Sequence, residues 1–123
     1  MRNFLLPLTL LLPLSVVFAL GDIHSVTTIK VGQQFVLGGQ QHGAFRVKAR
    51  NSGPVPVSVA ERRADGTLTE LGRLEPGQRA ELAFAAGSTA LVRNLGAHDA
   101  ELTVVISGDA SFKMGMGYEG LKK

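Results

Sequence analysis

The chain has 123 residues, of which 45% are hydrophobic, and its 13 Lys and Arg residues against 10 Asp and Glu residues give a formal net charge of +3. A chain of this length has room for one domain with one hydrophobic core. It contains no Cys, which excludes both a domain held together by disulfides and a lipid anchor attached to a cysteine.

The chain begins with the layout of a secretory signal peptide. A basic start precedes an apolar run over residues 4–20, and the run ends in small residues. Cleavage after Ala19 and cleavage after Gly21 are both compatible with this pattern, because each leaves small residues at the two positions that signal peptidase reads. We expect residues 1–21 to be a cleaved signal helix and residues 22–123 to form one extracytoplasmic domain, either periplasmic or secreted.

A retained N-terminal anchor is the alternative interpretation of this segment. The apolar run is short for a spanning helix, which needs about 20 apolar residues, and Pro7 and Pro13 interrupt it. We therefore expect no membrane span in the protein once the signal is removed.

Apolar residues in the rest of the chain recur with a period of two, which predicts strands and not helices. Phe45, Val47 and Ala49, for example, alternate with basic residues, so this strand has one face for a core. Strands are predicted at 25–37 with a break at Gly32, and at 44–50, 55–63, 67–74, 78–85, 89–95, 100–107 and 111–118.

Short turn signals separate the predicted strands. Asp65-Gly66 has the residues of a two-residue hairpin, and Glu75-Pro76-Gly77-Gln78 has those of a type II turn. Parallel neighbours need long crossovers, so strands with such short connections are antiparallel. We predict an all-β, mainly antiparallel β-sandwich of seven to nine strands, immunoglobulin-like or jelly-roll-like, with a small barrel as the alternative.

Two segments resemble parts of the immunoglobulin-like β-sandwiches of extracytoplasmic proteins. They are the Asn-Ser-Gly-Pro-Val-Pro-Val sequence at 51–57 and the Leu-Glu-Pro-Gly-Gln sequence at 74–78. The Cys pair and the Trp of true immunoglobulin domains are missing. The resemblance therefore implies a sandwich and transfers no functional residue to this chain.

The sequence has no motif that indicates an enzyme or a cofactor site. It lacks the Gly-x-Ser-x-Gly motif of hydrolases, and His24, His42 and His98 stand outside any catalytic pattern. Gly38-Gly39 is followed by no helix, which a phosphate-binding loop would require. We predict a protein that is not an enzyme, with no catalytic residue and no bound cofactor.

A polar loop after the second predicted strand is the first candidate binding site. Gln40, Gln41 and His42 lie between glycines and are predicted to form the solvated tip of a hairpin. Their amides and imidazole could donate and accept hydrogen bonds to a ligand there.

A row of basic residues is the second candidate. Arg46, Lys48 and Arg50 are predicted to project from one face of a strand. Such a face binds an anionic partner, for example an envelope polymer or lipid headgroups, or it is a solvated surface on which opposite charges pair across strands. Nucleic acid is not expected, because acidic residues are interleaved and stacking aromatics are scarce.

The last predicted strand is the third candidate, because Gly115 and Gly117 leave one of its faces nearly without side chains. A bare strand could pair with a protein partner or with a second copy of this chain. The alternative is an internal twist or bulge that needs the glycines. We expect a secreted or periplasmic, non-enzymatic binding or structural module at the cell envelope.

A copper(I) protein is the alternative function. Thioether and imidazole groups suit Cu(I), and Met114 and Met116 lie on one face of the last predicted strand, where a His could complete a site. The same face is more simply interpreted as a core stripe, because it also carries Phe112 and Tyr118.

Overall fold

The computed structural model describes residues 22–108 and 115–121 of the chain. These residues form nine strands: β1 (Ile23–Ile29), β2 (Gln33–Gly38), β3 (Phe45–Asn51), β4 (Val57–Arg62), β5 (Leu68–Leu74), β6 (Arg79–Phe84), β7 (Thr89–Asn94), β8 (Ala100–Gly108) and β9 (Met116–Gly120). No helix that could cross a membrane occurs in the described ranges. The predicted signal segment at 1–21 and the first part of the last predicted strand, at 111–114, lie outside them.

The strands form two antiparallel sheets that face each other. The four-stranded sheet has the order β1-β8-β3-β6, and the five-stranded sheet has the order β5-β4-β7-β2-β9. Along the chain, consecutive strands lie in different sheets, with the exception of β4 and β5, which are neighbours in the five-stranded sheet. This alternation is that of a jelly roll with β9 added at an edge, so the predicted all-β sandwich is confirmed in its jelly-roll form.

The break predicted at Gly32 separates β1 from β2. Gln33 N donates to Lys30 O at 3.0 Å, and Gly32 has φ of +79°, which glycine adopts readily. The turn carries the chain from one sheet to the other. The Asp65-Gly66 turn, by contrast, joins β4 and β5 as a hairpin, closed by the hydrogen bond from Arg63 N to Thr67 O. Its loop has three residues, 64–66, and not the two predicted, because Arg63 and Thr67 are still paired.

The core lies between the two sheets and is built from the inward faces of the strands. In β3, buried and exposed residues alternate without exception, as the sequence predicted. Phe45 and Phe84 are directly opposite each other on β3 and β6, and their rings stack with centroids 5.1 Å apart. Burying a side chain of this size contributes about 1.5–3 kcal/mol, so these aromatics anchor one end of the core.

The sandwich has two ends that carry different connections. The first end holds the β2–β3, β4–β5 and β6–β7 connections, at residues 39–44, 63–67 and 85–88. The second end holds the β1–β2, β3–β4, β5–β6 and β7–β8 connections, at residues 30–32, 52–56, 75–78 and 95–99.

Candidate binding surfaces

Residues 39–44 form a crossover between the sheets and not a hairpin. Gln41 is only 3% exposed. Its Nε2 donates to the carbonyl oxygens of Ser88 and Ala85 at 2.9 and 3.2 Å, and its Oε1 accepts from Gly39 N at 2.8 Å. The prediction of a solvated Gln41 is therefore wrong, because its amide ties two connections of the first end together.

Gln40 and His42 are the exposed members of this loop. The backbone of the loop is fixed as well, since Gly87 N donates to Gln41 O at 3.1 Å. Gln40 and His42 therefore project from a loop that is hydrogen-bonded to the β6–β7 connection, and any ligand that binds there contacts these two side chains and not the Gln41 amide.

The basic row lies on the outer face of the four-stranded sheet. Arg46, Lys48 and Arg50 are all exposed on β3. The structure adds a fourth cation, because Arg79 on β6 lies directly opposite Arg50. The sequence did not indicate this neighbour, since the register between β3 and β6 follows from the fold and not from local alternation.

Arg50 and Arg79 face each other in the closer type of antiparallel pair. The adjacent pair is hydrogen-bonded, with Asn51 N donating to Gln78 O at 2.9 Å. Pairs alternate along an antiparallel ladder, so Arg50 and Arg79 form a non-hydrogen-bonded pair, in which Cα atoms are about 4.5 Å apart and side chains are closest. Like charges in this position repel each other.

Ion pairing on this face leaves most of the positive charge unneutralised. Arg46 Nη1 lies 3.7 Å from Glu81 Oε2, and both side chains are more than half exposed. Within residues 22–108 and 115–121, no carboxylate lies within 4.0 Å of the charged groups of Lys48, Arg50 or Arg79.

A shallow cleft of about 400 Å³ lies between these cations. Val105 and Thr103 on β8 are opposite Lys48 and Arg50 and supply a small, partly apolar floor. The lining residues are Lys48, Ala49, Arg50, Arg79, Ala80, Glu81, Thr103 and Val105. The lining contains no Phe, Tyr or Trp on which a base or a sugar ring could stack.

The third candidate, around Gly115 and Gly117, lies at an edge of the five-stranded sheet. Among the described strands, β9 pairs with β2 alone, and Gly117 is opposite Val36 without a register shift. Gly115 O accepts from Gly38 N at 2.7 Å and extends this ladder by one pair.

Neither Gly115 nor Gly117 has a positive φ, and the described residues leave space for a side chain at both positions. A Cβ at Gly117 would meet no described atom within 4 Å, and one at Gly115 would meet only Gly38 O at 3.9 Å. Neither close packing nor backbone strain within the described part of the protein therefore demands a glycine at either position.

The other face of β9 is not a core stripe as predicted. Met116 is 43% exposed and Tyr118 is 49% exposed, because β2 is the one strand beside β9 in the described part of the chain. Tyr118 packs on Phe35 with ring centroids 5.7 Å apart, and its hydroxyl group is hydrogen-bonded to Thr27 Oγ1 of β1 in the opposite sheet. Phe112 and Met114 lie outside the described residues.

A polar network that the sequence did not indicate crosses the outer face of the five-stranded sheet. Glu119 accepts a hydrogen bond from Gln34 Nε2 at 2.9 Å and lies 3.3 Å from Arg62 Nη2. Arg93 donates to Gln34 at 3.4 Å and to Glu70 at 2.5 Å. The network borders a cleft of about 820 Å³. Because its two arginines are paired with two carboxylates, this face carries little net charge.

The three histidines are divided between the two ends of the sandwich. His42 and the start of β1, which carries His24, lie at the first end, as does Met116 at the start of β9. His98 lies at the second end, away from Met116. Among the described residues, no group of three or more His, Cys, Asp or Glu side chains is placed to hold a metal ion.

No family model matches the sequence, and no curated protein is significantly similar to it. Solved structures do share the fold. Peruvianin-I, a cysteine peptidase from Thevetia peruviana latex, is 17% identical with a TM-score of 0.55, over 84% of this chain and 58% of that one. Procruciferin, an 11S globulin from Brassica napus, is 12% identical with a TM-score of 0.52, over 87% and 24% of the two chains.

An oxalate decarboxylase structure is 13% identical with a TM-score of 0.51, over 82% of this chain and 24% of that one. This chain therefore spans between a quarter and three fifths of the length of these proteins. At such low identities the similarity shows the fold alone, and the proteins that share it include enzymes as well as an 11S globulin.

Proposed function

We propose that the protein is a non-enzymatic binding module of the periplasm or the cell exterior, and that it binds an anionic polymer through the outer face of the four-stranded sheet. The observation that carries this proposal is the pairing of Arg50 with Arg79. Two arginines lie opposite each other, and no carboxylate of the described residues lies within 4.0 Å of either guanidinium group, so their charges repel each other in the free protein. An anion between them removes the repulsion, since guanidinium groups bind carboxylate, sulfate and phosphate with paired hydrogen bonds.

The arrangement of the cations favours a linear polyanion. Arg46, Lys48 and Arg50 lie in line along β3, about 6.6–6.8 Å apart in a strand, and Arg79 widens the row at one end. An anion is attracted more strongly to Lys48 and Arg50 than to Arg46, because Glu81 already neutralises part of the charge of Arg46. An acidic polysaccharide, a chain of regularly spaced anionic groups, fits this row better than a single small ion.

The proposal of a binding role rather than catalysis is supported by the residue content. This chain has no Cys, so the nucleophile implied by the name of the cysteine peptidase with a similar fold has no counterpart in it. In the described part of the chain, the hydroxyl group of Thr103 on this face is hydrogen-bonded to another hydroxyl group, Ser52 Oγ at 3.1 Å, and not to a base. Solvated arginines bind anions without chemistry.

Binding to acidic polysaccharides tests the proposal directly. The purified protein is titrated with polygalacturonate and with a sulfated dextran at low and at physiological salt, and the double variant Arg50→Gln/Arg79→Gln is compared with the wild type. We expect the double variant to bind at least tenfold more weakly, and we expect wild-type binding to weaken as salt rises. Lys30→Gln/Arg63→Gln is the matched control, because it removes two exposed cations from connections that line no cleft with Arg50 or Arg79.

Two further probes separate the sources of the anion. Vesicles with anionic lipids and single-stranded DNA present the same charges on a membrane and on a nucleic acid. Equal losses in the double variant and in the control variant would show that only net charge matters, and this result would overturn the assignment of the site. Stronger binding to vesicles or DNA than to either polysaccharide would overturn the choice of ligand.

The extracytoplasmic location is part of this proposal and has its own test. N-terminal sequencing of the exported protein is expected to begin at Leu20 or Asp22, after cleavage of the apolar leader. A membrane-embedded product that begins with Met1 would show that the leader is an anchor.

Assembly through the C-terminal strand is the structural half of the proposal. Exposed edge strands pair readily with other strands, and natural proteins limit this with charges or bulges. The opposite edge of the same sheet has such a device, since the register of β5 shifts at its Leu71-Gly72 step. β9 pairs with β2 without a shift, which makes β9 the edge that can accept a further strand.

Cu(I) binding is a second candidate, favoured by one observation. Met116 is exposed at the same end of the sandwich as His42, so its thioether can reach a ligand. Titration with Cu(I) in competition with a chelator is the test. Affinity that is unchanged in the variant Met114→Leu/Met116→Leu would exclude this function.

A further inference from the structure

Among the described strands, β9 has no neighbour on the side away from β2, and that edge presents backbone groups in a fixed pattern. Gly115 O and Leu121 N are hydrogen-bonded to β2. Because backbone groups alternate in direction along an antiparallel strand, the odd-numbered residues of β9 face β2 and the even-numbered ones face away. The N–H and C=O groups of Met116, Tyr118 and Gly120 therefore point away from β2 in the plane of the sheet, where a further strand would form hydrogen bonds with them.

We infer that a second copy of this chain occupies this edge and that the two copies of β9 pair antiparallel about a two-fold axis at Gly117. The inference deepens the assembly part of the proposed function and rests on it. In this register Met116 of each copy is opposite Tyr118 of the other, and each such pair exchanges two backbone hydrogen bonds. The two five-stranded sheets then form one continuous sheet of ten strands.

The exposed side chains of β9 favour this register. Met116 and Tyr118 are each nearly half exposed in the single chain, and the register brings each against the other, in a contact between sulfur and an aromatic ring that is favourable. On the outer face, the Gly117 residues of the two copies lie opposite each other, and Gly115 of each copy lies opposite Glu119 of the other. In this register the two glycines leave the outer face of the junction with little side-chain bulk, where a further backbone can approach closely.

Other two-fold registers satisfy these features less well. The outward backbone groups can pair only when the axis passes through a residue and not between two residues. An axis at Glu119 places two carboxylates opposite each other, which is unfavourable. An axis at Tyr118 leaves Met116 opposite Gly120, so its exposed side chain gains no partner.

The absence of native Cys makes disulfide trapping a direct test of the register. In the proposed dimer the Gly117 residues form a non-hydrogen-bonded pair, with Cα atoms about 4.5 Å apart, within the range of a disulfide. The purified Gly117→Cys variant is expected to form a covalent dimer under mild oxidation, and Glu119→Cys alone is not. A mixture of Gly115→Cys with Glu119→Cys is expected to form the mixed dimer.

A mixture of Gly117→Cys with Glu119→Cys distinguishes the alternative register, because these residues are opposite each other only when the axis lies at Tyr118. Efficient cross-linking in that mixture, with little in Gly117→Cys alone, would overturn the register. Equal cross-linking of all three variants would indicate random collision and overturn the interface. Gly117→Cys has open space around the new side chain, so failure to fold does not obscure the result.

Association of the wild-type protein is measured in parallel by sedimentation equilibrium and by fluorescence. Tyr118 is the sole Tyr in a chain without Trp, so its emission reports on this edge. Met116→Lys is expected to weaken dimerisation at least tenfold, because it places a charge at the junction. Leu95→Lys is the matched control at the second end of the sandwich, where Leu95 is 47% exposed, and it should leave dimerisation unchanged.

A wild-type protein that remains monomeric at several hundred micromolar would overturn the inference and leave polyanion binding untouched. Loss of polyanion binding in the Arg50→Gln/Arg79→Gln variant, with cross-linking of Gly117→Cys preserved, would leave the dimer in place. The two failures are therefore distinguishable.

Discussion

Asn51 and Asn94 end two strands in opposite sheets with the same pattern of hydrogen bonds. Each Asn begins an Asn-x-Gly sequence, and its Oδ1 accepts from the N–H of that glycine, Gly53 at 3.1 Å and Gly96 at 2.8 Å. Each Nδ2 donates to two carbonyl oxygens of other segments. Both side chains are buried at the second end of the sandwich, so each one holds three strands or connections together.

The first prediction concerns these two asparagines. Asn94→Ala leaves Ile29 O, His98 O and Gly96 N without their partners and is expected to lower the free energy of unfolding by about 2–3 kcal/mol. Asn94→Asp keeps the shape but places a negative charge against two carbonyl oxygens, so we expect a larger loss at neutral pH. Urea unfolding is the measurement. An Asp variant as stable as the wild type would contradict the hydrogen-bond assignment.

A second prediction concerns the space at Gly96. A Cβ there would lie 2.5 Å from Val55 Cβ, although the backbone φ is not one that requires glycine. Gly96→Ala therefore forces the β3–β4 and β7–β8 connections apart and is expected to cost about 1–3 kcal/mol. Gly120→Ala is the control, since a Cβ at that position meets no described atom within 4 Å. Equal stability of the two variants would contradict the close packing.

A third prediction separates structure from binding in the loop at 39–44. Gln41→Ala removes a buried amide with three partners, so we expect a loss of about 1–3 kcal/mol of unfolding free energy. His42→Ala and Gln40→Ala change exposed side chains and should alter the stability by less than about 0.5 kcal/mol. Thermal and urea unfolding of the three variants test this. A destabilised His42→Ala would show that the imidazole also has a structural role.

The sequence was sufficient to predict the strands, because alternation of apolar and polar residues is a local property. β3 shows this well, with Phe45 inward and Arg46 outward as predicted. The sequence could not distinguish hairpins from crossovers. The turn at Asp65-Gly66 stays in one sheet, whereas the turn at Glu75–Gln78 changes sheet, and both have ordinary turn residues.

Candidate sites were predictable only as far as they lay on one strand. Arg46, Lys48 and Arg50 are exposed together because they alternate on β3, but Arg79 joins them only through the pairing of β3 with β6. Tyr118 was expected in the core, because periodicity gives the face of a strand and not its position in the sheet. Its exposure follows from the location of β9 at an edge.

The last prediction connects stability with anion binding. Arg79→Glu replaces a repulsive pair with Arg50 by an attractive one, so we expect the free energy of unfolding to rise by about 0.2–1 kcal/mol at low salt. The gain should shrink in 1 M salt, which screens exposed charges, and the same variant should lose affinity for polygalacturonate. Arg63→Glu, in the exposed hairpin, makes the same change of charge away from this face. A lower stability of Arg79→Glu at low salt, with Arg63→Glu unchanged, would contradict the repulsion. If Arg79 is present for anion binding, Arg79→Glu raises the free energy of unfolding and lowers the affinity for the polyanion. This combination is expected when a residue that serves binding lowers the stability of the free protein.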